Sequence, residues 1–303
     1  MKKMLFVFNP RSGKGQITSH LMNICDIFTK DGYEVTVRPT QARLDAYRYI
    51  IEREKDFDVI VCSGGDGTLN ETIKAMMTLE SKKPIGYIPA GTMNDFASTL
   101  GIPKDMTAAA KAITEAFPVA VDVGAFNSEY FTYIAAFGVF TAVSYATDQQ
   151  LKNSLGILAY MVEAMKEYQE SWQKYHMTVK YDDVVIEDDF IFGMIANSMS
   201  VGGIKGLAGS DVWLDDGIFE GVLIKYPNNL AEFHMTLNAL AKRDFTSPFL
   251  YYFKSSYFEI ESRDSVPWTL DGEFGGNRNK IAIRNCHCAV NIFTGRNNVI
   301  GKG

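Results

Sequence analysis

Asp58-Val59-Ile60-Val61-Cys62-Ser63-Gly64-Gly65-Asp66-Gly67-Thr68-Leu69-Asn70 is an apolar run that empties into glycines around one acid and then enters a helical pattern. A strand ending in glycines lets backbone N–H groups approach an anion with no Cβ in the way, and the following helix N-terminus adds its positive dipole end. Asp66 is then placed to meet a phosphate-bound Mg²⁺ directly or through water. The same residues can also make a plain strand-to-helix turn with Thr68 as N-cap. Two further segments tilt the reading toward phosphate. Asn9-Pro10-Arg11-Ser12-Gly13-Lys14-Gly15 follows the apolar run Met4 to Phe8, and Pro89-Ala90-Gly91-Thr92-Met93-Asn94-Asp95-Phe96-Ala97 follows Ile85 to Ile88. Three loops of this kind gather at the carboxyl edge of one parallel sheet, where open α/β folds bind ligands.

The commoner nucleotide fingerprints do not fit. A P-loop needs Lys-Ser or Lys-Thr after its last glycine, whereas Ser12-Gly13-Lys14-Gly15 has another glycine there. A dinucleotide fingerprint needs its glycines directly after the first strand, where Asn9-Pro10 intervenes.

Outward from these loops, residues 1 to about 122 alternate apolar runs with helical periods, Ile17, Leu21, Ile24 and Phe28 falling on one helical face. This βαβ series predicts a doubly wound, mainly parallel sheet. After Val121-Asp122-Val123-Gly124 the chain becomes strand-dense, with helical patterns only over Leu155–Trp172 and Leu230–Lys242, which predicts a sandwich or barrel-like second domain. The fold class expected is therefore α/β, a parallel-sheet nucleotide-binding domain plus a β-sandwich, with boundaries at 1–123 and 124–293. The cleft between them is the expected active site.

At 303 residues and 47% apolar content the chain can bury a core in each of two domains. No run approaches the roughly 18 apolar residues of a membrane span, and Lys2-Lys3 before Met4–Phe8 is too short a leader; a cytoplasmic protein is expected. The formal charge of −6 argues against nucleic acid and against bulk attraction to anionic lipid. Membrane contact would need a local patch, for which Lys2, Lys3, Arg11, Lys14, Lys152, Lys166 and Lys174 are candidates, an ordinary solvated scatter being the alternative. Cys25, Cys62, Cys286 and Cys288 have neither zinc-ligand nor redox-pair spacing; the last two, in one strand pattern, should face the same way and stay reduced.

Phosphoryl transfer asks a protein to hold phosphates, aim an acceptor hydroxyl and take its proton. Asn9, Pro10, Ser12, Gly13, Lys14, Gly64, Gly65, Asp66, Gly67, Thr68, Gly91, Thr92 and Asn94 form the candidate phosphate set, although Thr92 and Asn94 could serve only as helix caps. For the base, Trp268-Thr269-Leu270-Asp271-Gly272-Glu273 offers two acids about a glycine; taken alone, Asp-Gly is a routine hairpin turn.

The set Asn-Pro-x-Ser-Gly, Gly-Gly-Asp-Gly-Thr and Pro-x-Gly-Thr-x-Asn-Asp-Phe-Ala resembles the soluble bacterial diacylglycerol kinase family, kin to sphingosine kinases and more distantly to NAD kinases. Leu151-Lys152-Asn153-Ser154-Leu155-Gly156, Leu214-Asp215-Asp216-Gly217 and Leu270-Asp271-Gly272-Glu273 extend the resemblance over nearly the whole chain. It implies an ATP- and Mg²⁺-dependent lipid kinase that converts membrane diacylglycerol to phosphatidate through peripheral, transient membrane contact. It further implies Asp271 as general base, Glu273 as orienter of a catalytic Mg²⁺ or the acceptor, and Lys152 as a basic residue at the cleft mouth. A structural Mg²⁺ would be held by the Asp216 carboxylate and the backbone oxygens of Trp213 and Ile218, and the tail from Thr294 to Gly303 would return to the first domain. Other acceptors on this scaffold stay open: a long-chain base, phosphatidylglycerol, a polyprenol or NAD, the last disfavoured by Asn94-Asp95-Phe96 where an Asn-Glu pair is expected. A catalytically silent nucleotide- or lipid-binding protein is the rival of another class. A homodimer is compatible with all of these, and the residues do not fix the oligomeric state.

Overall fold

The computed structural model describes residues 1–92, 94–138, 173–198, 200–201, 204–205 and 212–295. Lys152, Lys166, the helix expected over Leu155–Trp172 and the tail beyond residue 295 lie outside the described residues. By its contacts the chain divides into two units, one comprising Met1–Val123, Trp213–Asp216 and the chain from Cys286 on, the other Gly124–Val212 and Gly217–Asn285.

The first unit opens β1 (Lys2–Phe8), α1 (Ile17–Lys30), β2 (Tyr33–Pro39), α2 (Asp45–Arg53), β3 (Val59–Gly64), α3 (Asp66–Thr78), β4 (Ile85–Pro89), α4 (Asp95–Thr99) and α5 (Met106–Glu115). Met4–Phe8 and all of β3 and β4 are buried, as strands covered on both faces must be when they read as unbroken apolar runs. β1 pairs in parallel with β2 and β3, and β3 with β4. The end of β15 (Glu273–Phe293) adds a further parallel neighbour, Ile292 opposite Ile85 of β4, so the order is β15-β4-β3-β1-β2. The α1 stripe works as its period requires: Ile17, Ile24 and Phe28 are buried, and Phe28 meets Phe6 of β1 edge-on at 6.1 Å. α1 packs on α5 and β2, whereas α3 packs on α2 and β3.

From β5 (Pro118–Phe126) the chain passes into the second unit, with β6 (Glu129–Phe131), β7 (Ile134–Gly138), β8 (Tyr175–Tyr181), β9 (Val184–Ala196), β10 (Ser200–Val201), β11 (Ile204–Lys205), β12 (Phe219–Lys225), α6 (Leu230–Lys242), β13 (Leu250–Ser255) and β14 (Tyr257–Leu270). Its ladders are antiparallel and close a circuit, β9 to β7 to β14 to β8 and back to β9. Two long strands make this possible. β9 pairs β8 through Val184–Phe190 and β7 through Phe192–Ala196; β14 pairs β8 through Glu259–Ser262 and β7 through Trp268–Leu270, while its ladder with β15 shifts register between Glu261 and Val266. Inside lies an aromatic core in which Trp268 packs against Phe126 at 5.2 Å and Phe137 at 4.9 Å.

Candidate active site

The parallel register places the three glycine-bearing loops side by side, because Phe8 lies opposite Ser63 and Gly64 opposite Pro89 at the ends of their strands. Backbone hydrogen bonds then tie them. The Asn9 N–H donates to the Ser63 carbonyl at 2.8 Å, and the Ala90 and Gly91 N–H groups donate to the Gly64 carbonyl at 2.8 and 3.1 Å. Within the first loop the Arg11 N–H is taken up by Asn9 Oδ1 (2.9 Å) and the Ser12 N–H by the Asn9 carbonyl (3.2 Å). The glycines follow from this closeness. A Cβ on Gly91 would lie 2.5 Å from the Gly65 Cα, and one on Gly13, already at φ +57°, would lie 2.4 Å from the Ala90 carbonyl oxygen. No side chain fits at either place, so the loops present a surface of backbone.

α3 starts at Asp66, one residue after the extended Gly65 N-cap. Thr68 is therefore not the cap; it sits buried in the first turn, its N–H donating to the Gly65 carbonyl at 3.0 Å. Asp66 occupies the first helical position, where the dipole favours a carboxylate. Asn94 caps α4 by backbone only, at φ +53°. Its side chain instead closes its own loop: Oδ1 accepts the Gly91 N–H at 3.0 Å, and Nδ2 donates to the Gly91 carbonyl at 2.8 Å. Thr92 is exposed. Ser12 is half-buried and Lys14 exposed.

Sequence reading missed Tyr87, which looks like one more apolar residue of β4. It is fully buried, with its hydroxyl 3.2 Å from both the Gly64 carbonyl and Asn94 Oδ1, so it braces the second and third loops from beneath. Burial pushes its phenol well above the usual range, keeping the hydroxyl a donor. A phenol hydroxyl in the middle of an otherwise apolar strand was the available signal.

In the second unit, Asp271 and Gly272 join β14 to β15 as a two-residue hairpin, Leu270 opposite Glu273, with φ of +51° and +81°. Positive φ at both centres is the turn that Asp-Gly favours. The hairpin reading is thus realised at this dipeptide. Asp271 is buried; its Oδ2 accepts the Thr132 N–H at 2.7 Å, and its Oδ1 accepts those of Tyr133 and Ile134 at 2.9 and 3.2 Å. Three amide donors fix the carboxylate in one orientation. The Thr132 hydroxyl is itself buried and makes no hydrogen bond among the described residues. Glu273, by contrast, is exposed.

The acid-rich turn divides between the units, Trp213 to Asp216 in the first and Ile218 in the second. Trp213 and Asp216 are exposed, and the Leu214 carbonyl accepts the Asp122 N–H at 2.7 Å. Lys174, one of the basic candidates, is bound to Asp189 at 2.9 Å and lies over the Tyr226 ring. Cys286 and Cys288 are free thiols, half-buried and exposed; Cys288 takes φ +48°, which breaks the strand alternation, so that His287 is exposed beside it. Cys62 is the inert one, its thiol pushed up to about 12 by burial.

Residues 3–126 match the model of the diacylglycerol kinase catalytic domain. The chain is 33% identical over 279 residues to the diacylglycerol kinase of Bacillus subtilis (strain 168), covering 91% of each. Against that of Staphylococcus carnosus (strain TM300) it is 33% identical over 280 residues, covering 91% of this chain and 90% of the relative. Among solved structures it resembles a Bacillus anthracis protein provisionally named a diacylglycerol kinase, with TM-score 0.82 and 26% identity over 99% of this chain and 97% of that one. A second diacylglycerol kinase structure from the same organism, at 22% identity and TM-score 0.78 over 99% and 98%, shares the fold.

Proposed function

The chain belongs to the diacylglycerol kinase family, and from that premise we propose that it transfers the terminal phosphate of ATP to the free hydroxyl of diacylglycerol, giving phosphatidate and ADP. The observation that carries the reading is the backbone surface of the first unit, where three loops are tied so closely that Gly13 and Gly91 admit no side chain. Such a surface fits phosphate oxygens, which accept from N–H groups and need close approach. We read the first unit as a doubly wound nucleotide domain on this basis and the second, with its closed antiparallel circuit, as a β-sandwich carrying the acceptor site.

Asn9, Ser12, Gly13 and the stretch Gly64 to Thr68 would hold the phosphates, with Lys14 offsetting charge. Asp66, at the start of α3, would meet the divalent ion. A Mg²⁺ bound with the nucleotide supplies charge neutralisation at the phosphate oxygens. Asp271 takes the proton from the acceptor hydroxyl as that oxygen bonds to phosphorus and the bond to the leaving diphosphate breaks. Its three amide donors keep it aimed, and the buried Thr132 hydroxyl offers a second contact for the acceptor oxygen. Asp216, with the Trp213 and Ile218 carbonyls, is the proposed seat of a structural Mg²⁺. No helix among the described residues is long and apolar enough to cross a membrane, so the lipid would be reached by peripheral, transient contact.

Mass analysis of product after offering Mg-ATP with diacylglycerol, a long-chain base, phosphatidylglycerol and a polyprenol in mixed micelles tests the acceptor; phosphatidate is expected to dominate. Asp66→Ala should abolish turnover, because its carboxylate stands where phosphate and metal charge must balance. Near-normal activity in that variant would remove the phosphate-loop reading.

A further inference from the structure

Apart from the loops and the Asp-Gly turn, one cluster in the first unit brings carboxylate, imidazole and thiol together. Asp122, in β5, is fully buried; its Oδ1 lies 3.1 Å from His287 Nδ1 and accepts the Cys288 N–H at 2.7 Å. The other ring nitrogen, His287 Nε2, lies 3.5 Å from Cys288 Sγ. One ligand atom from each of the three residues lies within 4.8 Å of the others. His287 is 58% exposed, so an ion has access from solvent. The positive φ of Cys288 brings two residues adjacent in the chain onto one open surface, where a regular strand would have sent them to opposite faces.

We propose that His287 Nε2 and Cys288 Sγ bind a thiophilic divalent cation of the Zn²⁺ class, with Asp122 holding the imidazole through Nδ1.

The separations fit this chemistry. Nitrogen and sulfur ligands at about 2.0–2.1 Å and 2.3 Å from a tetrahedral ion lie about 3.6 Å apart, against the observed 3.5 Å. A buried carboxylate on the remote ring nitrogen sets the tautomer and turns the lone pair of Nε2 toward the metal, as in carboxylate–histidine–metal units. The main rival for such a row of groups is a metal-free cysteine nucleophile. When a divalent cation binds, the thiolate forms on the metal and the thiol proton passes to solvent. Nothing in the phosphate loops or at Asp271 uses these residues; their neighbour is the acid-rich turn, whose Leu214 carbonyl accepts the Asp122 N–H at 2.7 Å.

The test is titration of the chelator-treated full chain with Co²⁺ at neutral pH. The expected result is a near-ultraviolet thiolate-to-cobalt charge-transfer band that saturates at one ion per chain and is displaced by Zn²⁺. Cys288→Ser should abolish the band and Cys286→Ser leave it intact, while His287→Ala and Asp122→Asn should weaken Co²⁺ binding by about tenfold or more. Absence of the band at stoichiometric Co²⁺, or the same band in Cys288→Ser, would overturn the proposal. Rapid labelling of Cys288 by a thiol reagent with no cobalt band would do so too, in favour of the nucleophile. Because His287 and Cys288 are exposed, their variants test the site without asking the core to tolerate a change.

Discussion

Asp271 meets two demands at one residue. As first centre of a two-residue turn it must take positive φ, which Asp tolerates better than most side chains, and as a buried acid it must be held by donors. Both are satisfied because the turn swings its carboxylate onto the amides of Thr132, Tyr133 and Ile134. Asp271→Asn keeps the shape but cannot take a proton, and its NH₂ would face amide donors. The chemical step in single-turnover kinetics should therefore fall by about 10²-fold or more, with nucleotide affinity nearly unchanged. Glu273→Gln, at an exposed position, should cost less. A larger loss at Glu273 than at Asp271 would transfer the role of base to Glu273.

Among the elements, the strand ends do most to shape the loops. β3 and β4 deliver Gly64 and Pro89 in register, and Tyr87 then ties the two loops through one buried hydroxyl. Tyr87→Phe keeps the ring packing and deletes that tie, so stability should fall by about 1 kcal/mol, the usual net worth of a hydrogen bond. Weaker binding of an ATP analogue by calorimetry should accompany it, since the Gly64 and Asn94 acceptors that order the third loop lose a donor. Unchanged affinity would mean that the backbone bonds to Gly64 suffice alone. In the second unit the long strands β9 and β14 play a comparable part, each pairing one neighbour with its first half and another with its second.

For the whole molecule, the first unit is assembled from separate stretches of chain. Ile292 pairs with Ile85, the Gly295 N–H donates to the Leu100 carbonyl at 3.2 Å, and Lys82 Nζ reaches the Ala289 carbonyl at 2.7 Å. A fragment ending at Val123 would leave the edge of β4 unpaired, and an open apolar edge invites association. It should aggregate or lack a cooperative thermal transition; a monomeric fragment with a sharp transition would contradict this. The turn at Trp213–Asp216 also joins this unit through the Asp122–Leu214 bond. If it holds Mg²⁺, Asp216→Ala should lower the melting temperature more in Mg²⁺ than in EDTA, since an ion bound only to the folded state stabilises it by mass action. Equal shifts in the two buffers would leave the turn without an ion.

The sequence by itself determined what local chemistry can determine. Unbroken apolar runs between helical periods marked the buried parallel strands, the glycines after them marked where backbone must come close, and the ordered motifs pointed to the kinase family that the relatives then showed. The Asp-Gly dipeptide announced a hairpin and an acid, and both are present. What only tertiary structure decided are pairings between residues far apart in the chain. That Asn94 spends its amide on Gly91, that Tyr87 carries the brace, that Asp271 rather than Glu273 is the buried acid, and that Asp122 finds His287 and Cys288 follow from register, bulges and burial. Periodicity reports which face a residue presents, whereas a hydrogen bond across more than a hundred residues depends on which strands become neighbours. That choice is made by the packing of the whole chain.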